Sequence, residues 1–336
     1  MDTNNNRVFL FALAVVTLLG LFWFGSQRQG PGNLEKVTVG YQPSISAALL
    51  MVAKDKGFFT KHGLDVQMQE FTAGKFALNA FLGGSLDFCM SGDVPPLLAA
   101  LQGNKFVVPA QVVRKTQNEV RVVARKDGNL NLAKDYFGTK KRKLATSIGG
   151  GPEFFTYEFL NKLGIKKDQI EIISQKPEDM VASLVNGSVD AIAIFDPVSY
   201  VAEKQMGGRS ITFTDSSIYS ELYVIEARQT VGANPEKLDK FLGALIDAEK
   251  YTKANPDEAK KIIVKYTKLD RSVIDGIWGN YDLSLALTPQ LLDVWGREAA
   301  WAKETENIPS SNSIPDFKDY IFSGPLKLLN SGAVTI

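Results

Sequence analysis

The sequence predicts an α/β protein of two equivalent lobes, each a mixed, mostly parallel sheet flanked by helices. Three observations carry this. Short β-rich runs alternate with helical stretches in the rhythm of βαβ units. One phrase of that rhythm returns: Gly84-Ser85-Leu86-Asp87 reappears 103 residues later as Gly187-Ser188-Val189-Asp190, with Asp93 and Asp196 at the same offset. The length of 336 residues suits about two domains of ~150 residues.

The elements follow in order. Lys36–Tyr41 is a short β-rich run that ends in Gln42-Pro43-Ser44. Ser46 to Lys56 has apolar residues at helical spacing and stops at Gly57. Val66–Phe71 alternates with period two, a helix spans Lys75–Leu82, and Leu86–Met90 is a strand. In the second copy Ile170–Ser174 is the strand and Pro177–Val185 the helix. Val107–Val113, Glu119–Ala124, Ile211–Phe213 and Leu222–Ile225 read as further strands, and the chain is mostly helical beyond Pro235. The expected division puts 36–125 and 220–336 in lobe one and 126–219 in lobe two, with two crossings forming a hinge. The basic run Lys140-Lys141-Arg142-Lys143 is expected to be a solvated turn.

Residues 1–35 stand apart from the lobes. Val8–Phe24 is an uncharged run of 17 residues, which as a helix reaches about 26 Å, at the short end of a bilayer span. It reads as a signal segment or an uncleaved membrane anchor followed by a Gly/Pro linker, so the body is expected to be periplasmic or otherwise extracytoplasmic.

Composition narrows the function. Lys plus Arg number 38 against 37 Asp plus Glu, which argues against binding a nucleic-acid backbone. One Cys and one His leave no Cys-rich zinc site, no His pair and little material for acid–base catalysis. No metal and no cofactor are expected. Cys89 lies within an apolar strand and reads as an inert thiol; His62 reads as a surface residue in a turn.

In open parallel sheets, ligands bind beyond the carboxyl ends of strands, where helix starts offer unpaired N–H groups. Four segments occupy that position, and they supply the candidate ligand-binding residues. They contribute Gln42, Ser44 and Ser46; Ser91 and Asp93; Ser147, Gly149, Gly150 and Gly151 with Phe154 behind them; and Phe195 and Asp196. The glycines let backbone donors approach a ligand, and the serines add hydroxyls. No Walker loop or dinucleotide fingerprint is present, because Gly151 is followed by Pro-Glu and the glycine spacing is wrong. Asp93 and Asp196, each followed closely by proline, also read as helix N-caps.

Several phrases together resemble a known family. Val37-Thr-Val-Gly-Tyr-Gln-Pro43, Ala53-Lys-Asp-Lys-Gly-Phe-Phe59, Gly63-Leu64-Asp65-Val66, Ser91-Gly-Asp-Val-Pro-Pro96 and Val189-Asp-Ala-Ile-Ala-Ile-Phe-Asp-Pro197 are similar to signatures of substrate-binding proteins of ABC importers. The branch is the nitrate/sulfonate/taurine and thiamine-precursor group. The resemblance implies a type II periplasmic binding protein fold that acts without catalysis as a monomer. It also implies a small-molecule ligand, such as an aliphatic sulfonate, taurine or a nitrate-like anion, delivered to an ABC permease and its ATPase. A thiamine-precursor pyrimidine, favoured by Asp93 and Asp196, and a pyrimidine-synthase-like enzyme on the same fold are the alternatives.

Overall fold

The computed structural model describes residues 34–116, 120–232, 235–309 and 311–336. The apolar run at 8–24, read above as a signal or anchor, lies outside them. Among the described residues no helix is long and apolar enough to cross a membrane.

The described strands are β1 (Glu35–Tyr41), β2 (Leu64–Glu70), β3 (Phe88–Gly92), β4 (Val107–Lys115), β5 (Arg121–Arg125), β6 (Arg142–Thr146), β7 (Ile170–Ser174), β8 (Ala191–Ile194), β9 (Ser210–Phe213), β10 (Leu222–Ala227) and β11 (Tyr281–Asp282). They form two mixed sheets, in the orders β11-β4-β10-β3-β1-β2 and β7-β6-β8-β5-β9. The repeated phrase has a structural counterpart, because β3 and β8 hold the same place in their sheets. β1 runs parallel to β3 (Val39 opposite Phe88), and β6 runs parallel to β8 (Leu144 opposite Ala191).

Each sheet also holds a reversed strand in its interior, and the first has a second one, the short β11, at its edge beside β4. β10 lies antiparallel between β3 and β4, and β5 lies antiparallel between β8 and β9. Strand β5, placed in lobe one by the sequence, therefore hydrogen-bonds into the second sheet: Val122 faces Ala193 on one side and Phe213 on the other. The first crossing falls between Lys115 and Arg121, and the return falls between Phe213 and Leu222. These two segments are tied to each other. Lys115 N donates to Glu221 O at 3.0 Å, and Ser220 Oγ donates to Lys115 O at 2.6 Å.

Burial on both faces explains the continuous apolar runs, since helices cover each side of the parallel strands. Every residue of β8 is fully buried. In the first sheet Phe88 stacks on Phe241 at 4.4 Å, and Phe241 stacks on Phe59 at 5.3 Å. That column pins helix Glu236–Ala254 to lobe one, with ring burial worth about 2–3 kcal/mol per side chain. The helix Pro289–Glu304 is fastened there too, by Trp295 Nε1 donating to Asp93 O at 3.1 Å.

In the basic run Lys140, Lys141 and Lys143 are exposed as expected, and Arg142 departs from the solvated turn. Arg142 is 2% exposed, because it starts β6 and its guanidinium stacks 4.0 Å from the Tyr136 ring. It donates to Tyr136 O and pairs with Asp127 at 2.7 Å, which satisfies the charge that burial would otherwise leave exposed to a low dielectric.

Candidate functional site

The ends of β1 and β3 in lobe one face the loop after β6 and the end of β8 in lobe two. Between them is a cavity of about 30 Å³ lined by Gln42, Gly74, Lys75, Gly92, Pro95, Ser147, Gly150, Gly151, Phe195, Glu221 and Tyr223, among others. A volume of that order holds about one water molecule, so the lobes are closed on each other. A recess of about 750 Å³ lies elsewhere, against helix Gly151–Leu163 and including Tyr157, Ile172 and Trp301. It draws on none of the strand-end loops of lobe one, which makes the interlobe cleft the candidate site.

Backbone approach explains the glycines at this closure. A Cβ on Gly151 would stand 2.7 Å from Glu221 Oε1, and one on Gly92 would stand 2.9 Å from the same atom. The Glu221 carboxylate of lobe one thus reaches the first residue of helix Gly151–Leu163, where unpaired N–H groups favour negative charge. Gly149 takes a φ of +78°, a conformation that favours glycine, and its N–H donates to Glu153 Oε2 at 2.7 Å.

The predicted residues divide into two groups. Gln42, Ser147, Gly150, Gly151 and Phe195 line the cleft, and Gly149 forms its loop. The others turn inward. Ser44 is 2% exposed, and its Oγ has no hydrogen-bond partner among the described residues; it stands at the start of the helical segment that follows Gln42. Ser46 Oγ accepts from Lys115 Nζ at 3.0 Å, with that ammonium 3.4 Å from the Tyr281 ring centroid. Phe154 is fully buried against Trp301 and Tyr219, at 5.4 and 5.1 Å between ring centroids.

Ser91 points into lobe one, where it bonds to Glu226. Burial pushes the Glu226 carboxyl up to about 8, which favours its protonated form. The Ser91 hydroxyl is placed to donate to Glu226 Oε1 or to Gly92 O, the latter at 3.1 Å.

Neither aspartate faces the cleft. Asp93 caps helix Val94–Leu101 through Val94 N at 3.0 Å, accepts from Leu222 N at 2.8 Å, and accepts from the Tyr219 hydroxyl. Burial raises its carboxyl above the usual range, and it raises the neighbouring Glu298 further. Asp196 is not a cap as the sequence suggested, because the residue before helix Val198–Met206 is Pro197. Its carboxylate instead takes both amino groups of Arg121, at 2.6 and 3.3 Å, and the Ser199 hydroxyl at 2.7 Å.

Three polar side chains of the cleft lie outside the sequence candidates: Lys75, Glu221 and Tyr223. Lys75 follows the end of β2 and was legible by the same strand-end rule. Glu221 immediately precedes β10 and Tyr223 is its second residue, and an antiparallel strand begins at the edge where its parallel neighbours end. Direction cannot be read from an apolar run, so that signal was absent.

Cys89 and His62 lie away from the cleft. Cys89 is fully buried beside Glu226, and burial pushes its thiol well up. His62 pairs with Asp247 at 3.1 Å against helix Glu236–Ala254. No group of His, Cys, Asp and Glu able to hold a metal occurs among the described residues.

Comparison with known proteins places this geometry. A family model described as NMT1-like matches residues 30–267. A Bacillus subtilis protein named as aliphatic sulfonates-binding is 23% identical, with 86% of this chain and 87% of that protein covered. The taurine-binding periplasmic protein of Escherichia coli is 26% identical, covering 70% of this chain and 72% of that one. Among solved structures, the periplasmic aliphatic sulphonate-binding protein SsuA from Escherichia coli superposes with a TM-score of 0.71 at 22% identity, over 83% of this chain and 96% of that one.

Proposed function

Because the chain belongs to the NMT1-like family, we propose that it is the extracytoplasmic solute-binding component of an ABC importer. It closes its two lobes on a small organic anion, such as an aliphatic sulfonate, taurine or a nitrate-like ion, and delivers it to the permease. The observation that carries this reading is the meeting of strand-end loops from both sheets at one cleft. That cleft is spanned by two hydrogen-bonded crossing segments that serve as a hinge. Ligand contacts to both lobes would favour the closed form by their differential binding energy. A division into a lobe of two sequence segments and a lobe of one belongs to this reading, and the two crossings support it. A tether through residues 8–24 belongs to the same reading, as does action as a monomer.

The pyrimidine alternative loses its two carboxylates, since Asp93 and Asp196 serve internal partners. The enzyme alternative loses its nucleophile and base, since Cys89 and His62 lie away from the cleft. A thermal-shift panel of ethanesulfonate, taurine, nitrate and an aminopyrimidine tests the proposal, because a ligand that binds only the folded form raises the melting temperature. A rise with at least one of the three sulfonate or nitrate probes is expected. A rise with the pyrimidine alone would overturn it.

A further inference from the structure

Lys75 is the cleft residue whose surroundings least explain it. It is the second residue of helix Gly74–Leu82, where unpaired backbone N–H groups already make a cation unfavourable. Its side chain crosses from lobe one to lobe two, and its Cδ lies 3.9 Å from where a Cβ on Gly149 would stand. The ammonium donates to Ile148 O at 2.5 Å and lies 3.5 Å from Ser147 Oγ, both neutral acceptors. Among the described residues no carboxylate oxygen lies within 4.0 Å of it. The nearby Glu153 is engaged by Gly149 N and by Asn307 Nδ2 at 3.2 Å. Burial lowers the pKa of Lys75, the mark of an ammonium whose lost hydration is not fully replaced.

The geometry points to Lys75 as the residue that pairs with the anionic group of the ligand and selects an anion over a neutral molecule of the same shape. This rests on the reading of the cleft as a small-anion site and names the side chain that makes it one. The cavity of about 30 Å³ admits no organic ligand while Lys75 reaches Ile148. When the lobes part, the Ile148 carbonyl withdraws with lobe two, and the flexible four-carbon stem leaves the ammonium at the cleft wall. On reclosure an anion beside Ser147 and Gly150 takes the place of that carbonyl. Ile148 O and the anionic group are then alternative partners of the same ammonium.

The test uses calorimetry with ethanesulfonate and with ethanesulfonamide, which has nearly the same shape and no charge. Wild type is compared with Lys75→Gln and Lys75→Arg. The expected result is a preference of wild type for the sulfonate and a loss of about 10- to 100-fold in sulfonate affinity in Lys75→Gln, the size of one charge-assisted hydrogen bond. Ethanesulfonamide affinity is unchanged in that variant, and Lys75→Arg keeps most of the preference. An unchanged melting temperature of ligand-free Lys75→Gln separates binding from folding. Equal sulfonate affinity in Lys75→Gln and wild type, or equal losses for both probes, would overturn the assignment while leaving the anion reading intact. Wild type that binds none of ethanesulfonate, taurine and nitrate would overturn the anion reading and the assignment with it.

Discussion

Asp93 and Asp196 stand at equivalent ends of equivalent strands, 103 residues apart, and both hold the first residues of the reversed strand beside them. They do so by different chemistry. Asp196 is an ion pair, its carboxylate gripping Arg121 at the first residue of β5 with both amino groups. Asp93 takes neutral donors, the backbone N–H of Leu222 at the first residue of β10 and the hydroxyl of Tyr219, with Glu298 buried alongside. The same topological need, to anchor a strand arriving from the other lobe, is thus met once by charge and once by protons. Lobe one accordingly carries buried acids that are held protonated more readily than usual, and the Asp196 end of lobe two carries a charged pair. The crossing segments join two ends anchored by different chemistry.

Breaking the charged end has the largest expected effect on stability. Asp196→Ala strips the partly buried Arg121 of its principal partner and costs about 3–5 kcal/mol, measured as a lower urea midpoint. A cost below about 1 kcal/mol would show that Glu203, 3.3 Å from Arg121 Nε, replaces the lost carboxylate. Asp93→Ala removes the acceptor of three donors and is expected to cost about 2–3 kcal/mol, less because no charge is stranded.

The protonated end responds to pH. Asp93 and Glu226 both bind a proton more tightly folded than unfolded. Their contribution is therefore complete at low pH and is lost as pH rises, for Glu226 between about 4.5 and about 8. Glu226→Gln keeps an acceptor for Ser91 without the ionisation. It should raise stability at pH 8 by about 1–2 kcal/mol and flatten the profile above pH 5, in urea titrations across pH. A steeper profile in the variant would place the sensitivity elsewhere.

The smallest expected change in stability comes where the lobes meet. Gly151→Ala puts a methyl 2.7 Å from Glu221 Oε1 and 3.0 Å from the Tyr219 hydroxyl. The backbone at Gly151 is helical and accepts alanine, so the melting temperature should move little while ligand affinity falls at least tenfold, because the closed form is obstructed. Undiminished affinity would mean that the ligand-bound closure differs from the one described.

Much of this arrangement was legible in the chain. Apolar runs marked β1 and β3, and the offset of 103 matched the phrase ahead of β3 to the one ahead of β8. The loop Ser147–Gly151 was recognisable from its three glycines ahead of a proline-started helix. What escaped depends on direction and on pleat. Strand order and polarity are set by tertiary pairing, so the reversed β5 and β10, and with them Arg121 and Glu221, gave no local sign. Side chains alternate across a strand; Ser91 and Gly92 are neighbours in β3, yet Gly92 lines the cleft and Ser91 meets Glu226 inside lobe one. The shared motif of Asp followed by proline also concealed two different roles, because a capping aspartate and an ion-paired one look alike until the partner strand is in place.

Small-angle scattering of the protein, without ligand and saturated with whichever of ethanesulfonate, taurine or nitrate calorimetry shows to bind most tightly, tests the central claim most directly. Closure of two lobes about the Lys115 and Glu221 crossings predicts a smaller radius of gyration on saturation. An unchanged radius at demonstrated saturation would contradict it.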